Sequence, residues 1–564
     1  MRTEKNYGNR NVNAMSEAFR EFRIHSVAEF FKKNRQMLGF SGRVRSMTTV
    51  IHEYVTNSLD AAEEAGVLPD ITINIADLPN GHYAICSSDN STGIPYKHMG
   101  KALAMMLAGT KFHRYMQQRG QQGIGASGCT MFSQITTGKP IHVQSGTGNG
   151  NVFECDLSID LKTNQPKIIN YKQTPGDFKG LAITAEFAEV KYDKSTHSVY
   201  EYLKMTAIAN PHAQITLVEP SGEKTLFPRS TDKTPARPKE ILPHPLGITT
   251  NDLVEKANHS KSRKISSFLT TEYARVSMAK IKEMDRIIND GKELGNPEYL
   301  NFEKKPSELK WAEAERLIDA IKNVKWIAPS TDSIIPIGKE HVEKSLQNIL
   351  NPEFVSVTQR RPKVFRGGVP FMVEAAITYG GQSGRKTSNG TGGDIIRFAN
   401  RAPLLFDGGG CAITEAVKTI DWKRYDVRDF EHEPLSVFVN FVSVYVPYTG
   451  AGKQAISPEE VIVAEIRFAL MEVARDLERY IHGKVRAHER VNKIKAIKRY
   501  VKQLSVDLPE LAGVGNSELL EGKLIKLIEE KYSDGLIADD GEEKEEELTN
   551  GKPEGTDDIE EEEQ

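Results

Sequence analysis

Three short patterns follow one another in a fixed order between Val44 and Ser127, and bringing them to one place restricts the possible folds more than composition does. In VRSMTTVIHEYVTNSLDAAEEAG the apolar residues recur at three- and four-residue spacing and Gly66 ends the run, which predicts a helix of about 20 residues. Glu53 and Asn57 lie one turn apart on it, so their side chains leave the same face. The strand-like HYAICSS then runs into Asp89-Asn90-Ser91-Thr92-Gly93. A Gly-rich stretch from Gly93 to Gly128 follows and contains Gly120-Gln121-Gln122-Gly123-Ile124-Gly125-Ala126-Ser127. So long a connection inside a compact domain is usually functional.

Each pattern has a chemical reading and a plainer one. The Glu53 carboxylate and Asn57 amide can orient a water and hold a magnesium ion, yet the pair also fits an exposed acid beside a tolerated polar residue. Asp89 can accept a hydrogen bond from an adenine amino group while Gly93 lets the backbone pass close to the base; Asp, Asn, Ser and Gly also make ordinary turns. Gly120, Gly123 and Gly125 permit unusual backbone angles, and clustered amide N–H groups can surround phosphate oxygens. This stretch lacks the GK[ST] ending of a P-loop, and no preceding strand and following acid mark it as a dinucleotide fingerprint. The ordered set carries more weight than any member.

In that order the sequence resembles the GHKL ATPases, whose Bergerat fold binds ATP in a helix-over-sheet sandwich under a mobile lid. The resemblance implies that Glu53 is the base that activates water, that Asn57 is the Mg2+ ligand, and that Asp89 and Gly93 read adenine. It implies that Gly120, Gln121, Gln122, Gly123, Ile124, Gly125, Ala126 and Ser127 close on the phosphates, with Thr110 and Lys111 at the start of the lid as further phosphate contacts. Two departures stand out: Ser91 occupies a position usually held by glycine, and the family's Gly-Thr pair is here Gly180-Leu181. Loss of that threonine hydroxyl bears on the base-side water network and leaves the phosphate chemistry intact.

A chain of 564 residues exceeds one hydrophobic core and should divide into about three or four units. Residues 1–20 read as a flexible polar arm. The first domain, 21–235, takes strands ITINIADL, HYAICSSD, PIHVQSG and GLAITAEFAEV, and SGEKTLFPRSTDKTPARPKEILPHP reads as a linker. A small helical domain spans 236–320. Strands return in a third domain, 321–505, which ends in a helix expected over 458–504 with Gly483 as the point where it would break. Ser457-Pro458-Glu459-Glu460 supplies its N-cap, first-turn proline and capping-box Glu. Residues 506–538 read as a helical docking or linker segment, and 539–564 as a disordered acidic tail. The fold class is therefore α+β.

No run approaches the roughly 18 apolar residues of a membrane span, and MRTEKNYGNRNVNAM lacks the apolar core of a signal peptide, so a cytoplasmic location without membrane attachment is expected. Cys86, Cys129, Cys155 and Cys411 form no CxxC pair, which supports neither a zinc site nor a disulfide framework. The formal charge of -3 hides an asymmetry: the tail holds 14 acidic residues against Lys544 and Lys552, so the body carries about +9. A basic body suits a polyanionic partner.

Beyond the nucleotide motifs, AGTKFHRYMQQRGQQGIGAS, PHPLGITTNDL, PFMVEAAITYGG, RFANRAPLLFD and DWKRYD resemble the topoisomerase VI B subunit family, a likeness running from about Glu21 to Leu504. It implies a Bergerat ATP-binding sandwich, a small helix-two-turns-helix domain and an α/β transducer domain with a long C-terminal helix. YTGAGKQAI resembles the loop that delivers a switch lysine, so Lys453 would reach from the third domain to the terminal phosphate of ATP bound by the first. The implied function is ATP-driven dimerisation that gates passage of double-stranded DNA and relaxes supercoils, with cleavage left to a separate A subunit in a complex of two A and two B chains. Lys261 to Lys264 (KSRK) can meet phosphates or be a solvated loop. Lys484, Arg486, Arg490, Lys493, Lys495, Lys498, Arg499 and Lys502 suit DNA, a docked partner or a solvated helix face. The competing readings are another GHKL clamp, of mismatch-repair or chaperone type, and a non-catalytic DNA-binding scaffold.

Overall fold

A computed structural model of the chain describes residues 25–533 apart from 110–113, 121–122, 294, 388–389, 451 and 514. Thr110, Lys111, Gln121 and Gln122, the N-terminal arm and the acidic tail lie outside the described residues. Contacts divide the chain into two units, residues 1–478 and 479–564.

The first part of the larger unit contains helices α1 (Val27–Lys33), α2 (Arg43–Ala65), α3 (Tyr96–Leu103), α4 (Gly125–Thr137) and α5 (Val199–Ala209). Its strands are β1 (Asp70–Asp77), β2 (Tyr83–Asp89), β3 (Ile141–Thr147), β4 (Asn151–Asp160), β5 (Gln165–Pro175), β6 (Lys179–Phe187), β7 (Gln214–Val218) and β8 (Lys224–Phe227). They form one sheet in the order β5-β4-β3-β6-β2-β1-β7-β8, antiparallel except for the β1–β7 pair. Met47, Val50, Ile51, Val55 and Leu59 of α2 recur at helical spacing and bury with Ile71, Ile73 and Ile85 of the sheet in one apolar core. Gly66 then adopts φ 67°, and its N–H bonds back to α2, ending the helix where its sequence pattern predicts.

Four strands of this sheet, β4, β5, β7 and β8, escape the sequence reading. In β4 a register shift between Glu154 and Asp156 breaks the apolar alternation, and β5 is largely exposed, so neither shows a clean period of two. Lys224–Phe227, read as the start of a linker, is instead strand β8, paired with β7 and buried through Phe227.

A separate core holds the small helical region, α6 (Thr250–His259), α7 (Ile265–Glu272), α8 (Met278–Asn289) and α9 (Trp311–Asn323), around Leu253, Phe268, Leu269 and Leu317. Beyond it lie α10 (Lys339–Leu350), β9 (Phe354–Gln359), β10 (Lys363–Phe365), β11 (Val369–Tyr379), the small hairpin β12 (Arg385–Thr387) and β13 (Gly390–Gly392), β14 (Asp394–Ala399), β15 (Ala402–Pro403), α11 (Ala412–Lys418) and β16 (Leu435–Ser443). The second large sheet runs β10-β11-β16-β14-β15, with β9 also paired to β11. β16 is buried along its whole length and β11 along all but its last residue, as their near-continuous apolar sequences require of central strands.

The long helix α12 spans Glu460–Ala512 and passes through Gly483 without the expected break. It starts at Glu460 rather than 458, with the Glu459 carbonyl accepting from the Val463 N–H at 2.9 Å. Within the larger unit it fixes β9 through Ser356–Asp476 (2.6 Å), Thr358–Glu472 (2.7 Å) and Arg360–Glu465 (2.8 Å). In the smaller unit Lys498, one of the basic run, pairs with Glu529 of α13 (Ser517–Ser533) at 2.7 Å. Among the described residues no helix is long and apolar enough to cross a membrane.

Candidate functional site

A cavity of about 520 Å3 lies among α2, α3, the N-terminus of α4 and strands β2 and β6. Small-molecule sites typically measure roughly 300–1,000 Å3. Glu53, Asn57, Asp89, Gly93, Gly120, Gly123, Ile124, Gly125, Ala126, Ser127 and Lys453 all line it. The structure therefore brings together every site residue named from the sequence that lies among the described ones.

At one end Asp89 closes β2 and is buried. One of its carboxylate oxygens accepts hydrogen bonds from the Ser91 hydroxyl (2.5 Å), the Ser91 N–H (3.0 Å) and the Leu181 N–H (3.2 Å). The other accepts from the Ser58 hydroxyl at 2.6 Å. Sequence reasoning marked Ser91 and Leu181 only as departures; here both are donors to Asp89, one through a hydroxyl and one through the backbone. Ser58 was missed, since a serine beside Asn57 gives no periodic signal. Gly93 is required for a reason other than closeness to a ligand: at φ 64°, an added Cβ would lie 2.4 Å from the Gly146 carbonyl oxygen and 2.8 Å from that of Gly180. Gly180 is equally constrained, with the Asp89 carbonyl oxygen 1.9 Å from where its Cβ would be. Three main chains thus cross in contact behind the carboxylate.

At the other end Glu53 and Asn57 project from the same face of α2, each half-buried. A Cβ on Gly125 would sit 1.8 Å from a Glu53 carboxylate oxygen, so a side chain at the start of α4 would displace that carboxylate from its present position. Among the described residues no side chain caps α4, and its first backbone N–H groups are available to an anion in the cavity. Tyr54 lines the wall beside Glu53 with a buried hydroxyl that has no hydrogen-bond partner among the described residues, and burial raises its pKa well above the ordinary tyrosine value. His52, packed edge-on against Tyr202, is pushed below its ordinary pKa by burial.

Lys453 arrives on a loop closed by the Tyr448–Ile456 bridge and by the Thr449 N–H bonded to the Ala455 carbonyl (3.0 Å). Its own backbone is left-handed, φ 52°, a conformation a non-glycine residue holds only where its surroundings enforce it.

Arg119, immediately before Gly120, is a second residue that sequence reasoning missed. Its buried guanidinium donates to Asp60 (2.8 Å), Glu63 (2.6 Å) and Asn210 (2.5 Å). Glu63 also meets His212 (2.9 Å) and Arg401 (3.4 Å), and the two guanidinium groups hold its carboxyl well below the ordinary range against the opposing effect of burial. The Gln118 carbonyl accepts from Asn400 at 3.0 Å. The root of the glycine loop is thereby tied both to α2 and to the turn between β14 and β15.

Residues 42–161 match the family described as histidine kinase-, DNA gyrase B-, and HSP90-like ATPase, and residues 329–493 match the topoisomerase VI B subunit transducer. The B subunit of type 2 DNA topoisomerase 6 from Methanothermobacter thermautotrophicus is 45% identical over 493 residues, covering 87% of this chain and 92% of that one. The protein of the same name from Pyrococcus horikoshii is 43% identical over 557 residues, covering 92% and 97%.

Proposed function

The chain belongs to the family of type 2 DNA topoisomerase 6 B subunits, and from that premise we propose how its site divides the work of an ATP-dependent type IIB DNA topoisomerase. Asp89, held by Ser58, Ser91 and Leu181, accepts the adenine amino group and fixes the base. The backbone from Gly120 to Ser127 and the start of α4 surround the phosphates, together with Thr110, Lys111, Gln121 and Gln122. Glu53 takes a proton from the attacking water, and Lys453 meets the terminal phosphate. The cavity volume and the uncapped start of α4 that lines it support a nucleotide there.

Among the described residues no cluster of three or more His, Cys, Asp or Glu could form a metal cage. Mg2+ at a nucleotide binds through one or two protein oxygens plus phosphates and water. Asn57 offers the protein oxygen, and the ion supplies charge neutralisation at the phosphates.

Two copies close around one DNA duplex when ATP binds the closed dimer more tightly than the open form, since differential affinity alone sets the shift. A DNA-cleaving A subunit, in an assembly of two A and two B chains in the cytoplasm, cuts a second duplex. Hydrolysis reopens the dimer. Family membership sets aside the mismatch-repair, chaperone and scaffold readings.

The observation that carries this is the meeting of Lys453, from beyond residue 329, with Glu53 and Asp89 in one cavity. Glu53→Ala should retain ATP-dependent dimerisation by sedimentation and lose about 100- to 10,000-fold in turnover, the range for a general base. Near-normal hydrolysis in that variant would remove Glu53 from the mechanism.

A further inference from the structure

Helix α2 carries Glu53 and Asn57 into the cavity, and two turns earlier it makes a contact whose far end returns to the same cavity. Arg45 forms a two-bond fork with Asp407, Nη1 to Oδ1 at 3.0 Å and Nη2 to Oδ2 at 2.9 Å, and lays its guanidinium over the Phe406 ring 4.6 Å from the centroid. The Phe406 ring is also stacked on His197, at 5.4 Å and 17°, whose carbonyl accepts from Thr48 of α2 at 2.9 Å.

From Phe406 the contacts run to the loop of Lys453. The Phe406 N–H donates to the side-chain oxygen of Gln454 at 3.2 Å, and its carbonyl accepts from Arg397 at 2.9 Å. Arg397 also donates to the Gln454 carbonyl at 3.4 Å. Phe406, Arg397 and Gln454 are all buried, and Lys453, immediately before Gln454, is on the cavity wall.

Two features suit this path to setting geometry. The Asp407 side chain is 53% exposed and that of Arg45 25%, so solvent partly screens the attraction between their charges. A fork stacked on an aromatic ring nevertheless fixes direction in a way a point charge does not. Moreover, Asp407 and Lys453 both hold left-handed backbones, φ 54° and 52°, which persist only where neighbours over-determine them.

We propose that Arg45 is a positioning residue for the terminal phosphate: by holding Phe406 and Asp407 against α2 it sets the reach of Lys453, so preference for ATP over ADP depends on a residue that does not line the cavity. The proposal rests on the role given to Lys453 above. Its test is equilibrium titration of the full-length chain with Mg-ADP and with a magnesium complex of a non-hydrolysable ATP analogue. Arg45→Ala, Lys453→Ala, the double variant and Arg45→Lys are compared.

Lys453→Ala should weaken the analogue and leave ADP unchanged. Arg45→Ala should weaken the analogue by about fivefold, the order expected of one coupled contact, leave ADP unchanged, and add nothing in the Lys453→Ala background. Arg45→Lys, which keeps a cation without the fork, should fall between wild type and Arg45→Ala. Asp407→Asn provides the same measurement from a half-exposed position should Arg45→Ala not fold. Equal loss of ADP and analogue in Arg45→Ala and Asp407→Asn, or no loss in either, would overturn the proposal while leaving the Lys453 reading intact. If Lys453→Ala itself fails to separate the two nucleotides, the Lys453 reading fails and this inference with it.

Discussion

The two ends of the cavity are built on different terms. Asp89 is surrounded by donors from α2, its own loop and β6, all within the first domain and all at 3.2 Å or less. The phosphate end gathers Glu53 and Asn57 from α2, the glycine loop before α4, and Lys453 from a loop near the start of α12. An end contained in one core is finished when that core folds. An end that also takes Lys453 from the transducer match is complete only when that loop and the segment matching the ATPase family hold one arrangement.

The largest effect should come from the root of the glycine loop. Arg119→Ala removes the guanidinium that Asp60 and Glu63 share, leaving Glu63 with His212 and Arg401. Breaking a buried ion pair costs about 3–5 kcal/mol, and the loss here should approach the lower end because Arg401 still faces Glu63. Denaturant unfolding followed by Trp fluorescence should show this loss, with nucleotide affinity falling alongside it. A variant as stable as wild type would mean that the phosphate end does not depend on this cluster.

A smaller effect should separate the ends chemically. Asp89→Asn keeps the shape but turns an acceptor of four protein hydrogen bonds into a group that can accept fewer. Hydrogen bonds to a charged group contribute about 1.5–3 kcal/mol, so ATP and ADP should both weaken by roughly 10- to 100-fold with their ratio unchanged. A changed ratio would show that the base end senses the terminal phosphate and would break the comparison.

What the sequence made legible follows the same division. Glu53, Asn57 and Asp89 were readable because they occupy fixed places on a helix and a strand whose periods are plain. Lys453 was readable only by family likeness, since no local period joins it to Glu53 so far away in the chain. Ser58, Arg119 and Glu63 were not readable: the first acts where α2 meets the end of β2, the other two where α2, the glycine loop and the β14–β15 turn converge. The missing break at Gly483 teaches the converse, that one glycine, at about 1 kcal/mol relative to alanine, does not interrupt a helix continued on both sides by good helix formers.

The smallest expected effect is on pH, and it belongs to one end alone. His52, beside Glu53, and His212, bonded to Glu63, are both held below the ordinary histidine value of 6.5, in each case chiefly by burial. For His52 the Glu53 charge opposes this and Lys453 adds to it; for His212 Glu63 opposes it while Arg401 and Arg119 add to it. Both therefore stay neutral in the folded chain at a pH where the unfolded chain takes up protons. The unfolded state then binds more protons, so stability rises with pH. The contribution is fully present above about pH 6.5 and is lost as pH falls from there through the folded values, at no more than about 1.4 kcal/mol per unit of separation. Urea midpoints measured from pH 8 to 5.5 should fall below 6.5, and fall less steeply in His212→Gln. A profile flat to pH 5.5 in the wild type would mean that these two imidazoles accept protons without unfolding, and that the phosphate end is more open to water than its burial indicates.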